Sequence, residues 1–273
     1  MAVADASQVE VDKDVAFGRG GSRELLCDVY RPPAGVTNKR TAVLHLHGGG
    51  FRVGTKAGVR LATPLASRGY TCVSSQYRLI DAAKWPAQIQ DVKAAIRWMR
   101  SNAGQLGFDG GKVVILGYSA GANLALVAAG SANQPDFEGD GGNAGAGTDV
   151  AACVAFYPAA DARPNHPLLG DNPTEAAARG LGPINYARAS YPPVMLLHGT
   201  ADQTLAVENS VKLYQAFREA GAAVELHLVE GVTHIFDAHA QFAEAAAEWI
   251  DLFLDRHVAN PRAIPSTEPG APR

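Results

Sequence analysis

Between residues 41 and 229, short runs rich in apolar and β-branched residues alternate with longer stretches whose apolar residues recur at helical spacing. The runs at 41–46, 70–76, 112–116, 150–157, 193–197 and 224–229 have the pattern of parallel strands joined by crossover helices. The stretches between them read differently. Ile89, Val92, Ile96, Met99 and Ala103 keep one apolar face behind Pro86, which stands where a first-turn proline belongs. Phe242, Ala246, Trp249, Ile250 and Phe253 repeat such a face further on. Strand and helix alternating in this way predict an α/β fold, a mostly parallel doubly wound sheet with helices on both faces. Ahead of it, residues 11–17 and 24–30 read as an antiparallel pair turning at 18–21.

Two irregular stretches interrupt the alternation. Residues 133–149, with five glycines, follow a helix and precede a strand, so they fall at the edge where strands begin and read as a flexible spacer. Residues 158–192 follow a strand and emerge at the carboxyl edge, where open α/β sheets bind ligands. They are long for a plain connection and read as a small cap after the strand ending near Tyr157. Beyond Val258, four prolines and no apolar period predict a flexible tail over 258–273, leaving 1–257 as a single domain.

Composition narrows the partners. A chain of 273 residues with 47% apolar and 19% charged residues builds one core without staples. Net charge is −3 and no Lys/Arg stripe is visible, which argues against nucleic acid as a partner. No run of about 18 apolar residues offers a membrane span, and residues 1–14 lack the basic-then-apolar order of a signal peptide. Cys27, Cys72 and Cys153 lie in strand-like runs and are odd in number, as buried thiols of a reducing compartment are. A cytoplasmic location is therefore expected. The oligomeric state stays open, a homodimer included.

Gly117-Tyr118-Ser119-Ala120-Gly121 has the form G-x-S-x-G, for which this composition gives about 0.1 chance matches, so the pattern alone is weak. Its setting strengthens it, because a buried strand precedes it and a helix follows, as a nucleophile elbow requires. Ser119 is then the candidate nucleophile. A base must come from a loop at the same sheet edge, and His234, in the turn-rich loop after the run at 224–229, fits best, with His239 second. The orienting carboxylate is expected between serine and histidine in sequence. Asp202, just past the run at 193–197, is preferred to Asp161 because it leaves its strand through Gly199. Donors for a developing oxyanion are offered by the backbone of His47-Gly48-Gly49-Gly50, and Ala120 N–H would add one more. A phosphate loop is disfavoured, since no Lys-Ser/Thr follows and no G-x-G-x-x-G occurs.

These segments, with Phe51, Tyr77-Arg78-Leu79, Trp85-Pro86-Ala87-Gln88, His198-Gly199-Thr200-Ala201-Asp202 and residues 230–236, resemble the hormone-sensitive-lipase-like carboxylesterases, and within them the bacterial feruloyl or acetyl-xylan esterase-like enzymes. The resemblance implies the α/β-hydrolase fold and a serine carboxylesterase that cleaves small carboxylic esters through an acyl-serine, without cofactor or metal. It implies Gly49 and Gly50 as the oxyanion donors beside Ala120. Phe51, Tyr118 and Ile235 are expected to shape the substrate pocket, the last two standing where the family commonly has other residues. The larger members' N-terminal helical cap has no counterpart in the roughly 40 residues before the first parallel strand, which predicts a more open site. Two alternatives share the fold: an amide hydrolase such as a formamidase or aminopeptidase, and a non-catalytic ligand-binding relative. The second is disfavoured because all three triad residues are present.

Overall fold

Eight strands form one sheet in the computed structural model, which describes residues 8–262. In chain order they are β1 (Glu10–Gly20), β2 (Arg23–Arg31), β3 (Ala42–Leu46), β4 (Thr71–Ser75), β5 (Val113–Tyr118), β6 (Ala152–Phe156), β7 (Val194–Gly199) and β8 (Val224–Val229). The helices are α1 (Ala62–Ala66), α2 (Ala87–Ser101), α3 (Ala103–Leu106), α4 (Ala120–Gly130), α5 (Pro135–Glu138), α6 (Glu175–Leu181), α7 (Glu208–Glu219) and α8 (Ala240–Leu254). Across the sheet the order is β1-β2-β4-β3-β5-β6-β7-β8. The β1–β2 and β2–β4 pairs are antiparallel and the rest parallel, as expected for an α/β-hydrolase sheet.

The near-continuous apolar runs are explained by burial on both faces. Leu44, Leu46, Val113 and Ile115 point to one side, where they join Ile89 and Val92 of α2 and Leu124 of α4 in one core. Val43, Val114 and Leu116 point to the other and pack with Leu65 of α1 and Ile250 of α8. Because neighbouring strand residues alternate sides, the side chains of β3 to β7 meet a helix layer on either side and are buried, whereas β8 at the sheet edge is only half-buried and exposes Leu228. The sheet's carboxyl edge is thereby held rigid, and the loops leaving it carry the candidate site.

Four expectations need correcting. The hairpin turns at Gly21 and Ser22, not across 18–21, and β1 runs through Gly18 with bulged pairing beside it. Gly18 is needed for close approach: a Cβ there would strike the Gly141 carbonyl, and the adjacent Arg19 N–H donates to that carbonyl at 3.1 Å. The stretch 133–149 is pinned and is no loose spacer. Lys93 of α2 is wholly buried, and such an ammonium requires a carboxylate, which Glu138 supplies at 2.8 Å. Arg97 adds a bond to Glu138 at 3.0 Å and another to the Gly142 carbonyl at 3.0 Å. Thirdly, Val258 is buried in a helical extension of α8, Asp255–Ala259, so the chain stays packed past the expected tail boundary. The remainder of that tail, 263–273, lies outside the described residues. Pro86 also sits one position earlier than expected, capping α2 rather than opening it.

Candidate active site

The turn between β5 and α4 determines where Ser119 stands. Its backbone adopts φ 52° and ψ −116°, a region that side-chain-bearing residues rarely occupy. The turn is tight enough that a Cβ at Gly117 would strike the Gly121 carbonyl, and one at Gly121 the carbonyls of Leu46 and His47. Those two contacts are why small residues flank the serine at both sides. Ser119 N–H donates to the Phe156 carbonyl at 3.0 Å, and Asn123 N–H donates to the Ser119 carbonyl at the same distance, fixing the elbow from strand and helix alike.

His234 descends from the loop after β8, and its Nε2 lies 3.0 Å from Ser119 Oγ. Its Nδ1 lies 2.6 Å from Asp202 Oδ2. The three residues chosen from sequence are therefore in contact, in the order hydroxyl, imidazole, carboxylate. Asp202 stands on the loop between β7 and α7, where Thr204 N–H (2.8 Å) and Leu205 N–H (3.0 Å) donate to its other oxygen, Oδ1. Burial alone would raise this carboxyl, but the bonds from His234, Leu205 and Thr204 outweigh it and hold the group below the usual carboxylate range. The rival candidates are placed otherwise. Asp161 is half exposed and paired with Lys212, while His239 is exposed and packs edge-on against Phe242.

Gly49 and Gly50 take φ +112° and +61°, and among the described residues neither N–H is spent on a protein acceptor. Ala120 is the first residue of α4, where helix N–H groups lack partners within the helix. The strand end before them is braced by His47, which stacks on Tyr77 at 4.3 Å between centroids while the Tyr77 hydroxyl donates to the His47 carbonyl at 2.8 Å. Arg78 clamps Asp91 of α2 through Nη2 (2.7 Å) and Nε (2.9 and 3.0 Å), so the Tyr77-Arg78-Leu79 segment serves to tie this loop to the helix layer.

A cavity of about 620 Å³ opens over Ser119 and His234. Its walls include Phe51, Tyr118, Leu181, Leu205 and Ile235, and residues 158–192 contribute Ala159, Asp161, Ala162 and His166 besides Leu181. Phe51 meets His166 edge-on at 5.7 Å. Ile235 is 49% exposed at the rim. Tyr118 is only 2% exposed, and its hydroxyl accepts from Leu61 N–H at 3.2 Å, so it forms wall without offering a free polar group.

Sequence reasoning missed several supports. Tyr157, at φ +41° just past β6, lays its ring 4.4 Å from that of His234. Its hydroxyl donates to Asp237, whose other oxygen is met by Arg60 Nη1 at 3.1 Å. His198, near the end of β7, has Nε2 3.0 Å from Asp202 Oδ2. A histidine four residues before the chosen carboxylate was a signal for the last; nothing in sequence marked Tyr157 or Asp237.

An elbow serine, an imidazole and a buried carboxylate on an eight-stranded, mostly parallel sheet define an α/β-hydrolase. The chain belongs to the BD-FAE family, whose model matches residues 27–217. It is 34% identical to Esterase LipQ of Mycobacterium tuberculosis, over 90% of this chain and 63% of LipQ. Among solved structures, a truncated carbohydrate esterase from gut microbiota superposes with TM-score 0.81 at 26% identity, covering 92% of this chain and 98% of that one. The butyrate-bound esterase Est2 of Thermogutta terrifontis superposes with TM-score 0.76 at 26% identity, covering 95% and 98%. The chain spans about three fifths of the length of the curated relatives it matches first. Among the described residues no helix is long and apolar enough to cross a membrane.

Proposed function

We propose that the protein is a serine carboxylesterase acting on small or short-chain carboxylic esters, with Ser119 as nucleophile, His234 as general base and Asp202 as the orienting acid. The observation that carries this reading is the continuous contact from Ser119 Oγ through the His234 ring to Asp202 at the floor of the cavity. In the reaction, Ser119 Oγ attacks the ester carbonyl carbon while its proton passes to His234 Nε2. Negative charge moves to the carbonyl oxygen, toward the N–H groups of Gly49, Gly50 and Ala120. The bond to the alcohol oxygen breaks as His234 returns the proton to it. Water, deprotonated by the same nitrogen, then releases the acid and restores the serine. Asp202 holds the imidazole in the Nδ1–H tautomer and balances the imidazolium charge.

Phe51, Tyr118 and Ile235 shape the pocket, and residues 158–192 act as its small cap. Esterase names among the similar proteins favour ester over amide hydrolysis. The three cysteines are buried free thiols, Cys27 being pushed up to about 12 by burial, which supports a reducing compartment such as the cytoplasm. Ser119→Ala is expected to abolish hydrolysis of p-nitrophenyl butyrate and labelling by a fluorophosphonate. A variant that keeps most of the wild-type rate refutes the assignment, and dominant turnover of N-formyl or aminoacyl amides in the wild type moves the function to amide hydrolysis.

A further inference from the structure

We propose that His198 is a positioning residue for the triad, a second imidazole that donates to the Asp202 carboxylate and sets how strongly that carboxylate draws on His234. The inference rests on the triad reading above and assigns a further residue to it. His198 Nε2 lies 3.0 Å from Asp202 Oδ2 and 2.9 Å from the Leu205 carbonyl oxygen. A carboxylate and a carbonyl only accept, so Nε2 carries the hydrogen. Nδ1 lies 2.7 Å from Ser210 Oγ and accepts from that hydroxyl. One donor and one acceptor satisfy a neutral ring completely, and burial, which lowers the imidazole's affinity for a second proton, keeps it neutral.

Oδ2 of Asp202 therefore receives two imidazole N–H groups, from His234 at 2.6 Å and from His198 at 3.0 Å. Among the described residues no lysine or arginine pairs with this carboxylate. The choice of a neutral donor has a consequence. A cation at that place would neutralise Asp202 and weaken its support for an imidazolium at His234, whereas an apolar side chain would leave Oδ2 desolvated with one partner fewer. The other groups facing the assembly are accounted for. Tyr157 stands edge-on to His198 at 6.5 Å with its hydroxyl on Asp237, Arg60 pairs with Asp237, and Thr204 and Leu205 N–H hold Oδ1.

Two substitutions of His198 separate positioning from mere packing. The amide nitrogen of His198→Gln reaches the place of Nε2 and keeps the bond to Asp202, while that of His198→Asn stops near Nδ1 and keeps only the Ser210 side. In His198→Asn, kcat on p-nitrophenyl butyrate is expected to fall about tenfold with KM within about twofold, the rate equivalent of one hydrogen bond to a charged group. His198→Gln restores kcat. Equal behaviour of the two variants, or Asn rescuing where Gln does not, overturns the proposal.

A second measurement needs no turnover. In the wild-type protein, ¹⁵N shifts of the histidine side chains are expected to give the Nε2–H tautomer for His198, and an Nδ1–H tautomer there overturns the proposal even if the Asn variant fails to fold. The two readings fail separately. Wild type without Ser119-dependent esterase activity removes the triad assignment, while activity with unmoved kinetics in a folded His198→Asn removes only the role given to His198.

Discussion

Asp202→Asn tests the electrostatics of the site most sharply, because every lone-pair direction of this carboxylate is claimed. Oδ1 receives the N–H groups of Thr204 and Leu205, and Oδ2 those of His234 and His198. An amide offers one oxygen and one NH2, so one pair of donors must face another donor. The backbone N–H groups cannot change tautomer and keep the oxygen; the NH2 is left facing two imidazoles. His234 relieves the conflict by moving its proton to Nε2, which then points a hydrogen at Ser119 Oγ and can no longer take one from it. The expected loss in kcat is about 10³–10⁴-fold, or roughly 4–5.5 kcal/mol of transition-state stabilisation, with KM little changed. Steady-state hydrolysis of p-nitrophenyl butyrate measures it, alongside a thermal melt to show that the variant is folded. A folded Asp202→Asn protein within tenfold of wild type would refute the claim that this carboxylate dictates the tautomer.

Two further outcomes follow from buried groups. Tyr157→Phe removes the hydroxyl that donates to Asp237 and leaves that buried carboxylate with Arg60 alone, so stability should drop by roughly 1.5–3 kcal/mol in urea melts; no change would show the hydroxyl to be dispensable. His45 in β3 is wholly buried, with neither ring nitrogen partnered among the described residues, and burial lowers its pKa from 6.5 to about 3. The depressed value means that its contribution is complete above pH 6.5 and is lost as the pH falls toward 3, since only the unfolded chain takes the proton in that window. Between pH 6.5 and 5 the loss is about 1.6 kcal/mol, the slope rising toward roughly 1.4 kcal/mol per unit as the pH falls below 6.5. His45→Met should flatten that part of the stability profile, and an undiminished slope in the variant would assign the acid sensitivity elsewhere.

The α/β class, the positions of six parallel strands to within a few residues, and the three residues in contact at the site are all legible in the chain's residues alone. Each signal is local. A strand buried on both faces must be apolar throughout, and an elbow serine needs small residues two positions away whatever the rest of the chain does. Chain order and loop position then put His234 ahead of His239, and the exit through Gly199 put Asp202 ahead of Asp161, which tertiary contact gives to Lys212.

Pairings between distant segments are not legible in the residues alone. The glycine-rich stretch 133–149 looked loose because the sequence does not reveal that Glu138 answers a lysine 45 residues away, buried on α2. Gly18 looked like a turn because its reason for lacking a side chain, the Gly141 carbonyl, arrives from another part of the fold. Tyr157 and Asp237 carry no motif; the contacts of Tyr157 and His198 with the triad, and of Asp237 with Tyr157, exist only once β6, β7 and the loop after β8 end side by side at one sheet edge. Backbone form follows from local sterics and burial, whereas the polar contacts that tune a site depend on which loops the sheet brings together.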